Sequence, residues 1–156
     1  MMAMVLASLA ATQPMAVSAE LQPLAFLVGH CWRGEFGKRG HVDAHCFEPV
    51  YGGKFIRDRH EVTGGKDIYR GETLYNWNAE LKRAEYTYWN SIGGVSRGTM
   101  IARNGLLDFG SETYTAADGT KTSIGTQWRP GTNAYDVISI RNGVTGDKVA
   151  TYRRVD

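Results

Sequence analysis

The chain has only two cysteines and four histidines among its 156 residues, and its net charge is +2. Each shortage excludes something. A charge this small argues against a nucleic-acid or membrane-surface partner. Two cysteines allow one disulfide, and once it forms no thiolate is left to act as a nucleophile. The one early apolar run, Met4 to Ala11, is too short to cross a bilayer as a helix. There is no Gly-rich phosphate loop, because the Gly-Gly pairs lead into strand-like runs and not into helices. Ser91, Ser96, Ser111, Ser123 and Ser139 lack a nucleophile-elbow context. No linker, low-complexity segment or short repeat divides the chain, so it reads as one domain.

The first 19 residues read as a secretory signal: an apolar run, an interruption at Thr12-Gln13-Pro14, then small residues Val17-Ser18-Ala19 ahead of Glu20. They lack the Lys or Arg usual at the start of such a signal. The expected mature domain is 20–156, secreted or periplasmic. Leu24, Leu27 and Val28 fall at i, i+3, i+4, which predicts one or two helical turns ending at Gly29. The rest alternates strand-like runs with turn signals. The runs are 30–36, 41–48, 53–62, 66–77, 83–91, 95–103, 105–115, 121–129, 134–141 and 147–155. Asn104-Gly105 and Asn142-Gly143 suit two-residue hairpins. This pattern predicts an all-β fold, an antiparallel up-and-down barrel of about 8–10 strands that closes to remove its edges.

The hairpin carrying both cysteines is the most specific local feature. A turn centred between Lys38 and Arg39 sets Cys31 directly opposite Cys46, within disulfide range. Alternation then puts Trp32, Gly34 and Phe36 on one face with His41, Asp43, His45 and Phe47. The aromatic members make that face the interior, which turns His41, Asp43 and His45 inward. His-x-Asp-x-His on one strand invites a metal, but alternate side chains lie roughly 6.5–7 Å apart along the backbone. Two adjacent members can share an ion where all three rarely can, and His60 or Glu61 would have to add a ligand from another strand. The competing assignment is a hydrogen-bonded or solvated group at the barrel mouth, and no metal or cofactor is assigned. His41 with Asp43 is also a candidate acid–base dyad.

A second set is aromatic. Tyr69, Tyr75 and Trp77 share one face of a strand, Tyr86 and Tyr88 one face of the next, and Trp128 lies further on. These rings suit a ligand pocket with orienting hydroxyls, or ordinary barrel core. In Arg57-Asp58-Arg59-His60-Glu61 both faces carry charge. Arg57, if buried, could clamp a carboxylate ligand; otherwise the strand is solvated.

The order of several stretches carries a family resemblance. Leu24-Ala25-Phe26-Leu27-Val28-Gly29 is followed by Trp32-x-Gly34-Glu35 and Tyr51-Gly52-Gly53-Lys54-Phe55. Then come Gly71 to Asn78, Tyr86 to Ser91, Gly98-Thr99-Met100 and Tyr152-Arg153-Arg154. In this order the chain resembles the secreted bacterial lipocalin-like, or calycin, barrels of unknown function, with nitrobindin-like barrels as more distant relatives. It departs from their Gly-x-Trp spacing by one residue, at Gly29-His30-Cys31-Trp32. The resemblance implies that Trp32 closes a barrel end, with Arg153 or Arg154 over its ring. Haem ligation through a C-terminal histidine does not carry over, because no histidine follows His60. The expected role is non-catalytic binding of a small, partly apolar molecule inside the barrel. Its rivals are an enzyme using interior His, Asp and Tyr groups, and an envelope interaction module with a filled barrel.

Overall fold

The structure, a computed structural model, describes residues 16–35, 37 and 39–156. The apolar run Met4 to Ala11 and the inward assignment of Phe36 lie outside the described residues. Ten antiparallel strands form a closed barrel in simple up-and-down order. They are β1 Cys31–Glu35, β2 Val42–Val50, β3 Phe55–Thr63, β4 Tyr69–Asn78 and β5 Arg83–Asn90, then β6 Val95–Arg103, β7 Leu106–Thr115, β8 Lys121–Pro130, β9 Ala134–Arg141 and β10 Val144–Arg154. Closure comes from β1 against β10, through Trp32 opposite Arg154 and Arg33 opposite Arg153. The last strand starts at Val144, earlier than the expected 147, and its pairing with β9 is irregular around Lys148.

The sequence signals act where they were expected. Asn104-Gly105 and Asn142-Gly143 have positive φ at both residues, the geometry of a tight hairpin that matches strand twist. Cys31 pairs with Cys46, Trp32 with His45 and Gly34 with Asp43, and the two cysteines form a disulfide on the outer face. The extra residue before Trp32 does not reverse the faces. Gly29 donates its N–H to the Phe47 carbonyl, His30 accepts from the Phe47 N–H, and regular pairing starts at Cys31.

The two barrel ends differ. One is plugged by a helix, Ala19–Leu27, which is 3-10 and not α. Its buried residues are therefore Leu21, Leu24 and Leu27, three apart, as three residues per turn requires. Val28 instead makes a bridge to Phe47. Trp32 is 1% exposed beneath this plug and donates its indole N–H to the Leu27 carbonyl at 3.2 Å. The rings against it are Phe26, Tyr135 and His30, and among the described residues no arginine packs over it. The other end is an open mouth edged by Gly37, His41, Val62, Tyr69, Tyr114 and Ile124.

Candidate functional site

Inside the barrel, β2 and β3 place two carboxylates and two imidazoles in one hydrogen-bonded chain. His45 lies between two aspartates. Its Nδ1 donates to Asp58 at 2.8 Å, and its Nε2 donates to Asp43 Oδ2 at 3.0 Å. Asp43 also accepts from His60 Nδ1 at 3.0 Å and from the Tyr152 hydroxyl at 2.9 Å. His60 Nε2 faces the Tyr88 hydroxyl at 3.1 Å, which lies 2.5 Å from the hydroxyl of Tyr69. The chain thus runs from Asp58 in the interior to Tyr69 at the mouth.

Glycine makes the chain possible. A side chain at Gly71, paired opposite His60, would overlap both the His60 ring and Tyr88. Gly34 opposite Asp43 does the same for Tyr152, whose ring and preceding backbone fill the space a Cβ would need.

Two charged states are set by these neighbours. Burial opposes a charge on His45, but Asp58 and Asp43 outweigh it and raise its pKa from 6.5 to about 10. His45 is therefore an imidazolium at neutral pH. Asp43 is held well below the usual carboxylate range despite its burial, because His45 and His60 donate to it.

The ligand atoms of Asp43, His45 and His60 lie within 4.8 Å of one another, close enough to raise the question of a shared metal. The ring geometry favours hydrogen bonds. The His45 and His60 rings are stacked, 4.7 Å apart with planes 15° from parallel. An ion bound by both nitrogens would have to lie near both ring planes, and nearly parallel planes do not converge on one point. A carboxylate whose two oxygens each meet one ring suits the arrangement.

Beside this chain lies a cavity of about 230 Å³, walled by Tyr75, Tyr86, Phe109, Trp128, Tyr135 and Tyr152. Trp128, Tyr135 and Tyr152 stack in series, at 5.1 and 5.0 Å. Across the cavity Glu112 accepts hydrogen bonds from the Tyr86 hydroxyl and, at 3.0 Å, from Ser96. Burial raises its pKa from 4.5 to about 7. The mouth, about 630 Å³, shares Asp43, His60 and Tyr88 with the inner cavity, so these three form the boundary between the two spaces. A depression of similar size on the outer face of the sheet runs over Arg59, Glu61, Arg70 and Trp89, and His60 is its sole member from the chain.

The expected site residues divide accordingly. Asp43, His45, Tyr75, Tyr86, Tyr88 and Trp128 line the inner cavity. His41 stands at the mouth, apart from Asp43 in the hydrogen-bonded chain. Trp32 and Trp77 belong to the plugged end, Trp77 beside Glu20 and Pro23. Arg57 points outward and pairs with Glu48 at 2.6 Å, so it clamps nothing inside. Its neighbours Asp58 and His60 take the interior positions.

Glu112 is the residue that strand parity misses. Leu107 and Phe109 face inward, which would turn Glu112 out. A register shift between Asp108 and Ser111 reverses the alternation, with Gly110 at φ +59° and its N–H held by Asp108. A glycine inside a strand-like run, Phe109-Gly110, was the available signal for a bulge.

No protein-family model matches the chain, and no curated protein shows significant similarity to it. Among the described residues no helix is long and apolar enough to cross a membrane.

Proposed function

We propose that this is a secreted or periplasmic lipocalin-like barrel that holds a small, partly apolar molecule in its interior without transforming it. The observation that carries this reading is the aromatic cavity of about 230 Å³, left open in a barrel otherwise packed with large side chains. An apolar cavity of about 150 Å³ is enough to take up benzene. The present volume therefore suits a single substituted ring or a compact aliphatic molecule, and it is too small for a haem or a steroid. The mouth above it supplies a route of entry.

The hydrogen-bonded chain supports binding over catalysis. Both nitrogens of His45 are taken up by aspartates, and Asp43 already accepts three hydrogen bonds. Such saturation rigidifies a polar wall and leaves little free basicity for proton abstraction. A lipocalin-like assignment rests on the sequence resemblance together with the closed antiparallel barrel.

Secretion is supported by the Cys31–Cys46 disulfide. Cleavage ahead of Glu20 would, however, remove Val17, which is buried, and the hydrogen bond from the Ser18 N–H to the Gly53 carbonyl. The intact mass of the exported chain locates the actual terminus.

Native mass spectrometry of the protein purified from its own periplasm or medium tests the function. The expected spectrum contains an adduct of one small organic molecule per chain, lost on denaturation. A spectrum with only the bare chain, unchanged by added small ring compounds, would contradict the proposal.

A further inference from the structure

The inner cavity has an asymmetry of charge that its hydrogen-bonded chain does not use up. Three carboxylates line it, Asp43, Asp58 and Glu112, and no lysine or arginine does. The imidazolium of His45 is the cation that both aspartates share. Glu112 stands apart from it, with only the hydroxyls of Tyr86 and Ser96 as partners and no ion pair among the described residues. Gly98 holds that arrangement open, since a side chain there would overlap the Tyr86 hydroxyl and crowd Glu112.

A second observation points to a missing partner. Tyr135 lines the cavity and is 1% exposed, and its buried hydroxyl has no hydrogen-bond partner. Buried hydroxyls in folded proteins are nearly always satisfied. Tyr135, with its unmatched hydroxyl, and Glu112, without a counter-charge, line the same aromatic space.

We infer that the barrel's ligand is a small organic cation, an arylalkyl or short alkyl ammonium, whose charged head is received by Glu112 while its body lies among Tyr75, Phe109 and Trp128. This rests on the interior-binding function proposed above and names the class of ligand. An ammonium supplies the counter-charge and N–H donors that Glu112 lacks. Electron-rich ring faces attract the same cation. An anionic ligand would meet three carboxylates with no free lysine or arginine to receive it. A neutral ring would fill the space but offer Glu112 no counter-charge, leaving it to be neutralised by a proton instead.

Calorimetric titration with three compounds of one shape tests this: phenethylamine, 2-phenylethanol and phenylacetate. At pH 8 phenethylamine is expected to bind at least tenfold more tightly than 2-phenylethanol, with phenylacetate weakest. Glu112→Gln should remove the preference for the amine while leaving 2-phenylethanol binding in place. The unmodified protein gives an independent check should that variant misfold. Because the Glu112 pKa is raised to about 7, amine affinity should fall as pH drops below 7 and level off above it. An alkylammonium stays charged over that range, with a pKa near that of lysine, about 10.4. The other titratable groups lining the cavity are Tyr75, Tyr86, Tyr88, Tyr135, Tyr152, Asp43, Asp58, His45 and His60; a pH profile lost in Glu112→Gln belongs to Glu112, and one that survives belongs to these groups and contradicts the assignment.

The outcomes separate the two claims. Equal binding of amine and alcohol, or tightest binding of phenylacetate, overturns the cation assignment and keeps the cavity as a binding site. Binding of none of the three overturns both.

Discussion

Asp43→Ala is expected to destabilise the fold by about 3–5 kcal/mol, the cost of removing one partner from a buried, hydrogen-bonded ion pair. The reason is local. Asp43 accepts from His45, His60 and Tyr152, and the substitution leaves all three donors facing a void. Asp43→Asn should lose roughly half as much, because its carbonyl oxygen still accepts while its amide N–H₂ now faces donors. Urea denaturation at fixed pH measures both. A loss under about 1 kcal/mol for the alanine variant would mean that the carboxylate is not buried and paired.

The pH dependence of this loss has a defined sign. His45 is raised from 6.5 to about 10, so its contribution is full below 6.5 and is lost as pH rises through about 10. Asp43 is lowered from 3.8, so its contribution is full above 3.8 and is lost as pH falls below that. The gap between parent and Asp43→Ala should therefore be widest between those two values, near pH 5, and should narrow toward pH 10.

Replacing both cysteines by serine is expected to cost about 3 kcal/mol, the loop-closure value for a span of this order. The sequence separation of the bridged residues is 15. The disulfide sits beside the weakest join in the barrel. The strand β1 has only five residues and meets β10 through two registered pairs. The bridge holds β1 on β2 and thereby keeps Trp32 under the plug. In the serine variant the amides of Trp32 and Arg33 should exchange with solvent faster than those of β4 and β5, where the pairing is long and regular. Uniform exchange across the barrel, or two titratable thiols in the unfolded parent without reductant, would contradict this.

Most of the fold was legible because its signals are local. Asn-Gly and Gly-Gly pairs mark turns by their tolerance of positive φ, and alternation between them marks strands. The cysteine hairpin was legible for the same reason: a tight loop fixes register, and register fixes which side chains face in. The expected helical turn is there, and its 3-10 form follows from Leu21, Leu24 and Leu27 at three-residue spacing, with the chain leaving the helix at Val28 to bridge Phe47.

The site was legible only in part. Asp43 and His45 follow from the hairpin, and Tyr75, Tyr86 and Tyr88 from strand parity. Arg57 could act as a clamp only if buried; its parity turns it outward to Glu48 and brings Asp58 and His60 in. Glu112 depended on a bulge at Gly110, which a period of two does not reveal and which only the glycine inside the strand marks. The cavity itself arises from ten strands closing together, and no single stretch encodes it.

Function here depends on the interior cavity being an accessible binding site. The direct measurement is calorimetric titration of phenethylamine and of 2-phenylethanol into the parent protein and into Thr126→Phe, which adds a ring to the cavity wall. One site per chain in the parent, abolished in a Thr126→Phe protein that keeps its β circular dichroism, is the predicted result. No binding to the parent, or equal binding to both proteins, would contradict it.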